Sequence, residues 1–379
     1  MATIQSIYLI FYIFALFLIS LFVFLIIYAI IKRINVSLPP GKQPVNLYVP
    51  CKYGSETFEK NIKSILSQNY PDLSMYFIVG SKKDSAYCTL KKIVKNHKVL
   101  IAGETKTRSQ KNHNLLYGIK HSRKSKIYAF FDSDAHFDKN ALSKLIGGMA
   151  DREKTVATSF PKKTSKDHNL AETVYSLYYG AQYILCSSFK AVWGGYYAIY
   201  GEDFINLGVK EIWEKSVSDD VPLTRILIEN KYAVKFIKKV GIFDSNVHRK
   251  IGPTFCWIQR QTLMLKHYLR VYWIYTILFV ACVILINIIL LTITIIYSSI
   301  NKLILGLMLF FAISLIIHLI NRIINRNADF LDDIKYALPA LAILCAAVLS
   351  TLFISDVVWG GHTYKISKGA VKQTICLKT

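Results

Sequence analysis

Hydrophobic and polar positions are distributed very unevenly along the chain. Four long runs, residues 1–31, 271–301, 303–321 and 336–355, contain no Asp, Glu, Lys or Arg. Each run is close to or above the roughly 20 apolar residues that cross a bilayer as a helix. Most polar residues lie between the first run and the second. The pattern therefore predicts one membrane helix, a large polar domain and three further apolar segments.

The polar part of the chain alternates short apolar runs with segments of helical spacing. The runs predict strands at residues 45–49, 75–79, 99–102 and 126–131. Apolar side chains repeated every three to four positions predict helices at residues 57–67, 86–96, 112–120 and 140–149. Strands that alternate with helices form a parallel sheet with helices on both faces. Ligands bind such sheets at the carboxyl ends of the strands.

The flanks of the first apolar run indicate its orientation. The run is too long for a signal-peptide core and has no basic leader or small-residue cleavage site, which favours a retained anchor. Lys32 and Arg33 follow it directly, and the positive-inside rule then places residues 34–270 in the cytoplasm. Three crossings after residue 270 would leave residues 356–379 outside, although this tail carries four lysines. Either the tail lies outside, or one of the three apolar segments is re-entrant or interfacial.

Composition agrees with a membrane protein in a reducing compartment. The chain is 53% hydrophobic, with a mean hydropathy of +0.33. Its net charge of +23 favours an anionic lipid surface as a partner, and the sequence has no nucleic-acid-binding motif. The seven cysteines form no CxxC pair and no metal-binding spacing, which is typical of free thiols in the cytoplasm.

One predicted strand runs directly into two carboxylates. Residues 127–137 read IYAFFDSDAHF, so Asp132 and Asp134 follow the strand at positions i and i+2. Such a pair can share one hard cation, and Mg²⁺ or Mn²⁺ that bridges substrate phosphates fits this arrangement. The alternative is that both aspartates only belong to the loop that leads into the helix predicted at residues 140–149.

Further short motifs lie on both sides of the two aspartates. They are NIKSILSQNYP at residues 61–71, KNHNL at 111–115, GG at 194–195, SDD at 218–220 and WGGHTY at 359–364. In this order and with similar spacing, they resemble the motifs of the ceramide glucosyltransferase-like branch of the family-2 glycosyltransferases. The resemblance covers nearly the whole chain, and several short motifs in register are more specific than any one of them.

The resemblance implies a fold, a reaction and a metal site. The fold is an α/β GT-A fold, the Rossmann-like fold of nucleotide-diphospho-sugar transferases, in a cytoplasmic domain joined to α-helical transmembrane segments. The donor is a nucleotide sugar, expected to be UDP-glucose, and the acceptor is a membrane lipid. Asp134, with Asp132 beside it, would hold Mg²⁺ or Mn²⁺ against the negative charge of the leaving diphosphate. Asp220 matches the base of inverting members, and Asp219 replaces the glutamate beside it.

The resemblance also assigns further residues to substrate and nucleotide binding: Lys52, Asp84, Lys111, Asn114, Gly194, Gly195 and Arg260. Each of the more distinctive positions has a plain structural interpretation as well. Asp84 could cap a helix, Lys111 could lie on a solvated face, and the two glycines could form a simple turn. Asp220 could belong to an ordinary helix start, with Ser218 as the cap and Pro222 in the first turn.

One family motif is incomplete in this chain. The family carries (Q/R)-x-x-R-W before its C-terminal membrane part, and Arg260 aligns with the leading Gln/Arg. Leu263 and Met264 then stand where Arg and Trp are expected. This loss argues against a processive polysaccharide synthase and leaves the acceptor open. A nearby basic residue could supply the missing charge: Arg249, Lys250 or Lys266.

These inferences divide the chain into an anchor (1–33), a cytoplasmic GT-A catalytic domain (34–250), an interfacial helix (251–269), C-terminal transmembrane segments (270–356) and a tail (357–379). The predicted function is a metal-dependent, inverting transfer of a sugar to a lipid hydroxyl at the cytoplasmic leaflet. One alternative is transfer to a polyprenyl phosphate, which needs no strong base. Another is a catalytically silent membrane scaffold or lipid-binding protein, against which Asp132, Asp134 and Asp220 together argue.

Overall fold

The computed structural model describes residues 43–54, 57–95, 97–149, 154–162, 169–237, 243–244, 249–296, 300–325 and 327–376. The predicted N-terminal anchor lies outside the described residues.

Strands and helices are numbered here in chain order. The described strands are β1 Val45–Cys51, β2 Leu73–Val79, β3 Lys98–Ile101, β4 Ile127–Phe131, β5 Ala135–His136, β6 Thr155–Thr158, β7 Tyr196–Tyr200, β8 Ala233–Phe236, β9 Phe243–Asp244, β10 Val357–Trp359, β11 His362–Ser367 and β12 Ala370–Cys376. The described helices are α1 Phe58–Leu66, α2 Ser85–Ile93, α3 Gln110–Lys120, α4 Ala141–Gly147, α5 Leu170–Ser188, α6 Gly201–Asn206, α7 Val209–Trp213, α8 Asp220–Glu229, α9 Ile251–Tyr268, α10 Arg270–Ile296, α11 Ile300–Ile324 and α12 Phe330–Ser350.

A seven-stranded sheet forms the centre of the polar domain, in the order β3-β2-β1-β4-β7-β6-β8. The strands and helices predicted between residues 45 and 149 are all present, with ends displaced by a few residues. The sheet is mixed, however, and not purely parallel. β7 runs antiparallel to both β4 and β6, with Phe131 opposite Tyr196. β7 therefore begins at the edge where β4 ends, and the residues just before it lie beside the two aspartates.

Alternation along the strands builds two hydrophobic cores, one on each face of the sheet. In β4, Ile127, Ala129 and Phe131 face the core that α1, α2 and α4 cover. Tyr128 and Phe130 face the core that α3, α6, α7 and α8 cover. Each fully buried large apolar side chain contributes about 1.5–3 kcal/mol relative to exposure. β4 is therefore held between two buried cores, and the residue that follows it lies at a fixed place at the edge of the sheet.

A layer of helices packs beside the sheet. α5, α9, α11 and α12 bury apolar side chains against one another, among them Tyr178 of α5, Ile258 of α9 and Ala340 of α12. α12 is the one helix among the described residues that is long and apolar enough to cross a membrane. The described apolar stretches of α10 and α11 are shorter, at Arg270–Leu285 and Phe310–Ile324. The three C-terminal apolar segments are thus helical where the structure describes them, and their embedding in a membrane remains a prediction.

The tail forms a three-stranded antiparallel sheet, β10-β11-β12, for which the sequence pattern gave no prediction. Val357 and Tyr364 of this sheet are buried with Val217, Leu263 and Met264. The Val371 N–H donates to the Lys215 carbonyl at 2.7 Å. The tail sheet is therefore attached to the polar domain.

Candidate active site

The end of β4 is held by hydrogen bonds from two directions. The Asp132 N–H donates to the Gly195 carbonyl at 2.9 Å. On the other side, the Asn61 amide nitrogen donates to the Ser133 carbonyl at 3.4 Å. Asp134, the next carboxylate, is exposed. α4 begins later, with Asn140 at its N-cap position, so neither aspartate caps that helix. The structure thus presents both carboxylates at the carboxyl edge of the sheet, as predicted.

Lys111 connects three parts of the chain at this edge. It projects from α3, and its Nζ lies 2.8 Å from Asp132 Oδ1 and 3.1 Å from Asp219 Oδ1. It also donates to the Gly194 carbonyl at 3.2 Å. Only 16% of its side chain is exposed, so the alternative of a solvated face is wrong. Burial acts to lower the pKa of the Lys111 ammonium, but the surrounding carboxylates outweigh it and raise the pKa. Lys111 is therefore a permanently charged centre of the site.

Asp219 is the most deeply buried carboxylate of this group, with 2% of the residue exposed. Burial raises its pKa to about 7, against the opposing effect of Lys111 and with the help of the negative charges of Asp220 and Asp132. Its Oδ2 accepts no hydrogen bond from the described residues. Asp219 thus depends on Lys111 for the stabilisation of its charge.

Asp220 is oriented by donors from its own loop and from the start of β7. Gly194 N–H donates to Asp220 Oδ2 at 2.9 Å. The Ser218 hydroxyl and the Val221 N–H both donate to Asp220 Oδ1. α8 begins at Asp220, so Ser218 binds the carboxylate and does not occupy the N-cap position. Since Oδ1 already accepts two hydrogen bonds and Oδ2 accepts one, Oδ2 retains a lone pair that can accept a proton from a ligand.

The two glycines allow this close approach. A Cβ atom on Gly194 would lie 2.9 Å from Asp220 Oδ2 and 3.0 Å from Asp219 Oδ2. A Cβ atom on Gly195 would lie 2.2 Å from the Trp193 ring. Gly194-Gly195 is therefore more than a simple turn, because its backbone contacts Lys111, Asp132 and Asp220.

Three other predicted residues have clear structural partners. Asp84 accepts hydrogen bonds from Ala86 N–H at 3.0 Å, as the N-cap of α2, and from Tyr53 N–H at 2.9 Å. The Asn114 amide nitrogen donates to the Ile78 carbonyl at 3.2 Å. These contacts fix the ends of neighbouring strands, and they leave nucleotide binding by Asp84 and Asn114 as a prediction. Lys52 Nζ donates to the Gly360 carbonyl at 2.9 Å, so the tail reaches the same edge of the sheet.

Sequence reasoning missed Asn112, the neighbour of Lys111. Asn112 is fully buried, and its amide nitrogen lies 2.9 Å from Ser216 Oγ and 3.2 Å from the Ser218 carbonyl. It therefore holds the loop that carries both Asp219 and Asp220. The sequence offered one sign of this role, a polar asparagine at the start of a predicted helix.

The residues that replace the missing Arg-Trp pair have a packing role. Leu263 and Met264 are 2% and 4% exposed, and they bury the tail sheet against α9. The Arg260 guanidinium lies 5.3 Å from the ring centroid of Trp359 in β10. Burial lowers the pKa of Arg260 to about 10, which leaves it charged at neutral pH.

Two of the basic residues that were candidates to replace the missing arginine are engaged elsewhere. Arg249 lies 3.3 Å from Glu172 Oε2 and stacks on the Tyr175 ring. Lys266 donates to the carbonyls of Thr351 and Ile354 at 2.6 Å. Arg260 is thus the basic residue of α9 that the fold brings to the Trp359 side of the site.

Asp132 and Asp134 have the chemistry that a divalent cation requires. Both supply hard carboxylate oxygens at the open edge of the sheet. Among the described residues, no group of three or more His, Cys, Asp and Glu side chains is arranged to hold a metal. Mg²⁺ or Mn²⁺ bound here would complete its coordination with water and with phosphate oxygens of a substrate. The residues present therefore fit a cation that is shared with a ligand.

Comparisons with known proteins identify a family and a similar fold. The sequence profile of Glycosyl transferase family 21 matches residues 12–372. The fold is similar to that of the mannosyltransferase PcManGT from Pyrobaculum calidifontis, solved in complex with GDP-Man and Mn²⁺. That likeness has a TM-score of 0.59 at 14% identity and covers 90% of this chain and 99% of the other. A crystal structure of a mycobacterial protein matches with a TM-score of 0.42 at 14% identity, over 59% of this chain and 74% of the other. No curated protein sequence matches.

Proposed function

Because the chain belongs to glycosyl transferase family 21, the ceramide glucosyltransferase family, and is a nucleotide-sugar-dependent glycosyltransferase with a GT-A fold, we propose that it transfers glucose from UDP-glucose to the hydroxyl of a membrane lipid. The motifs point to the ceramide glucosyltransferase-like branch of family 2. The profile confirms the ceramide glucosyltransferase likeness and assigns the chain to family 21 instead of family 2. The sugar, the nucleotide and the acceptor class are taken from that resemblance. The proposal places the catalytic domain at the cytoplasmic face of the membrane.

The observation that carries the proposal is the meeting of Asp132, Lys111 and Asp220 at one edge of the sheet. An inverting transfer needs a base for the acceptor hydroxyl and positive charge for the leaving diphosphate. Asp220 Oδ2, oriented by Gly194 N–H at 2.9 Å, is the base. Lys111, 2.8 Å from Asp132 and 3.1 Å from Asp219, offsets part of the negative charge of these carboxylates at the edge where the leaving diphosphate would lie. That these residues form one continuous set of contacts supports the proposal.

The bonds change in one displacement. Asp220 takes the proton of the acceptor hydroxyl while the acceptor oxygen forms a bond to the anomeric carbon of the sugar. The bond between that carbon and the phosphate oxygen breaks, and the nucleoside diphosphate leaves. Mg²⁺ or Mn²⁺ on Asp132 and Asp134 would supply positive charge to the diphosphate when bound. Lys111 keeps Asp132 and Asp219 in place through its ion pairs at 2.8 and 3.1 Å.

Arg260 is compatible with a second candidate, transfer to a polyprenyl phosphate. Within the described part of the chain, no carboxylate forms an ion pair with Arg260. Its guanidinium lies beside Trp359, and the next residue in the chain, Gly360, accepts a hydrogen bond from Lys52. A phosphate would match the two cations Arg260 and Lys52. The donor diphosphate is the other anion that they could hold, so Arg260 alone does not select the acceptor.

The proposed function is tested with the purified full-length protein in detergent, with mixed lipids and Mn²⁺. A panel of nucleotide sugars is offered, and release of the nucleoside diphosphate is measured. We expect lipid-dependent release with UDP-glucose, and its loss in Asp134→Asn. Asp138→Asn is the matched control, because Asp138 lies in the following loop, 3.8 Å from Lys144 and 54% exposed. Release with a different donor would correct the sugar. No release with any donor would favour a silent scaffold.

We expect Gly194→Ala to lower kcat about 10²-fold, because a displacement of about 1 Å at a reacting group has an effect of that size. The added Cβ would lie within 3.0 Å of both the Asp219 and Asp220 carboxylates. Steady-state kinetics and donor binding are measured, and binding should change little. Gly252→Ala is the matched control, since a Cβ there meets nothing within 4 Å. An unchanged kcat in Gly194→Ala would show that the position of Asp220 is not limiting.

A further inference from the structure

We infer that α12 lies along the membrane interface without crossing it, and that only α10 and α11 cross. The C-terminal part of the chain then crosses the membrane twice, and the tail sheet returns to the side of the active site. The partner of the outer face of α12 is the headgroup and upper acyl region of the bilayer.

The end of α12 is bound to the last turns of α9. The Gln259 amide nitrogen donates to Ser350 Oγ at 2.8 Å. Lys266 Nζ donates to the Thr351 carbonyl at 2.6 Å, and His267 Nε2 lies 2.6 Å from the Ser355 carbonyl. α9 continues into the active-site region, because the Val217 N–H donates to the Tyr268 hydroxyl at 2.9 Å. This end of α12 is therefore on the catalytic side.

The beginning of α12 lies against the same domain. Asp332 and Asp333 of its first turn line a small polar cavity together with Glu172 and Ser176 of α5. Asp333 also binds α11, through His318 Nδ1 at 2.8 Å. α5 belongs to the catalytic domain, since it lies between β6 and β7 of the central sheet in the chain. Both ends of α12 thus contact the domain that holds the active site.

The middle of α12 is packed in the same way. Ala340 and Val348 are buried with Val174 and Tyr178 of α5 and with Ile258 of α9. A crossing helix has its two ends about 30 Å apart along the membrane normal, on opposite surfaces. α12 has 21 residues, which is about 31 Å of helix, yet it follows the catalytic domain from end to end. α12 is therefore long and apolar enough to cross a membrane, but a helix that contacts the catalytic domain at both ends and in the middle does not have its ends on opposite membrane surfaces.

α10 and α11 have a different arrangement. They have 27 and 25 residues, more than the roughly 20 that a crossing helix needs, although the described apolar stretch of each covers only Arg270–Leu285 and Phe310–Ile324. α10 contacts the end of α12 through its first turn, where Trp273 Nε1 donates to Thr351 Oγ1 at 3.0 Å. α11 packs against α5 through its C-terminal half, including Ile317 and Ile320, and it contacts the beginning of α12 at His318 and Asn321. α10 thus leaves the catalytic side at its first turn and α11 returns to it through its C-terminal half, as in a hairpin that crosses out and back.

The outer face of α12 has the character of a lipid-contacting surface. Leu331 is 75% exposed, Leu338 53%, and Phe353 just after the helix 88%. This face continues into exposed apolar side chains at the start of α10, including Val271 and Tyr275 at 59% and 65%. Amphipathic helices of this kind lie with their apolar face about 5–10 Å into the headgroup and acyl boundary. The tail sheet is hydrogen-bonded to the polar domain, through Val371 and Lys215, so the chain must be back on the catalytic side when it reaches the tail.

Depth measurements test the inference in the full-length protein, reconstituted in vesicles of phosphatidylcholine and phosphatidylglycerol. Spin labels are attached to single cysteines at Leu331, Leu338 and Phe353, in a chain whose exposed cysteines are serine: Cys88, Cys256, Cys282 and Cys376. Power saturation with a polar relaxant reports the depth of each label. We expect depths within about 5 Å of one another, whereas a crossing helix would place Leu338 about 10 Å deeper than Leu331. The latter result, or labels fully in water, would overturn the inference.

α10 provides the matched control within the same chain. Labels at Val271, Leu278 and Leu285, which are 59%, 55% and 55% exposed, should become progressively deeper. Equal shallow depths for these three labels would contradict the crossing hairpin. Sidedness is tested separately in sealed vesicles with a membrane-impermeant maleimide, which should label Cys376 of the tail and Cys88 of α2 from the same side. Labelling from opposite sides would restore the third crossing.

Discussion

Replacement of Asp220 by Asn is expected to lower kcat for transfer to a lipid hydroxyl by about 10³-fold, because a positioned general base contributes about 10²–10⁴-fold. The amide has the shape of the carboxylate, and its one oxygen can still accept the bonds from Ser218 and Val221. Only the bond from Gly194 N–H is lost, so the fold and donor binding should persist. Rates are measured with saturating donor, and donor affinity is measured by calorimetry. A fall in kcat with donor affinity nearly unchanged is the expected signature.

Glu229→Gln is the control for Asp220→Asn. Glu229 lies on the same helix, α8, where it is 55% exposed and paired with Arg225 at 2.9 Å, so its loss should leave kcat unchanged. If Asp220→Asn retains the rate within a few-fold, the hydroxyl acceptor is wrong. A phosphate acceptor, which is already nucleophilic, then becomes the better interpretation, and Arg260 becomes the residue to change next.

Lys111→Met is expected to lower stability as well as activity. Removal of one partner from a buried ion pair costs about 3–5 kcal/mol, because the remaining charge is left without compensation. Lys111 is the cation between Asp132 and Asp219, so at least two carboxylates would lose it. A loss of about 3 kcal/mol corresponds to a midpoint of thermal unfolding lower by about 6–12 °C. Scanning calorimetry in detergent measures the shift.

A second variant separates the charge from the packing of Lys111. In an Asp219→Asn background, Lys111→Met should shift the unfolding midpoint much less, because the buried carboxylate that it neutralises is gone. Lys120→Met, at the exposed end of α3, is the surface control and should have little effect. Equal shifts in both backgrounds would show that Lys111 stabilises the fold by packing, and the charged network would then not be the cause.

Local patterns predicted the first half of the sheet and the two aspartates at its edge. Apolar runs such as residues 127–131 report on burial within a few positions, so β4 and the carboxylates after it are visible without a structure. The antiparallel direction of β7 was not visible. It depends on where the chain returns after α5, and the pairing of Phe131 with Tyr196 joins residues that are far apart in the sequence.

The rest of the site depends on the same kind of distant contact. Lys111 meets Asp219 only because α3 and the loop before α8 cover the same face of the sheet. Asn112 looks ordinary until its bonds to Ser216 and Ser218 are seen. Leu263 was interpreted as the loss of a functional arginine, whereas the structure shows a buried contact that holds the tail sheet. Sequence identifies which side chains carry charge, and tertiary structure decides which of them meet.

The contact between Lys52 and Gly360 joins residues that are 308 positions apart, and this has a consequence for the newly made enzyme. The central sheet can fold while the chain is still on the ribosome, but one wall of the site is made of residues synthesised much later. At about 5–20 residues per second, the roughly 100 residues from Arg260 to Trp359 take about 5–20 s to translate. α10 to α12 are also synthesised during that interval. A nascent chain therefore has the aspartates of the site well before it has a closed site, and competence for transfer is acquired only after the tail has reached the edge of the central sheet.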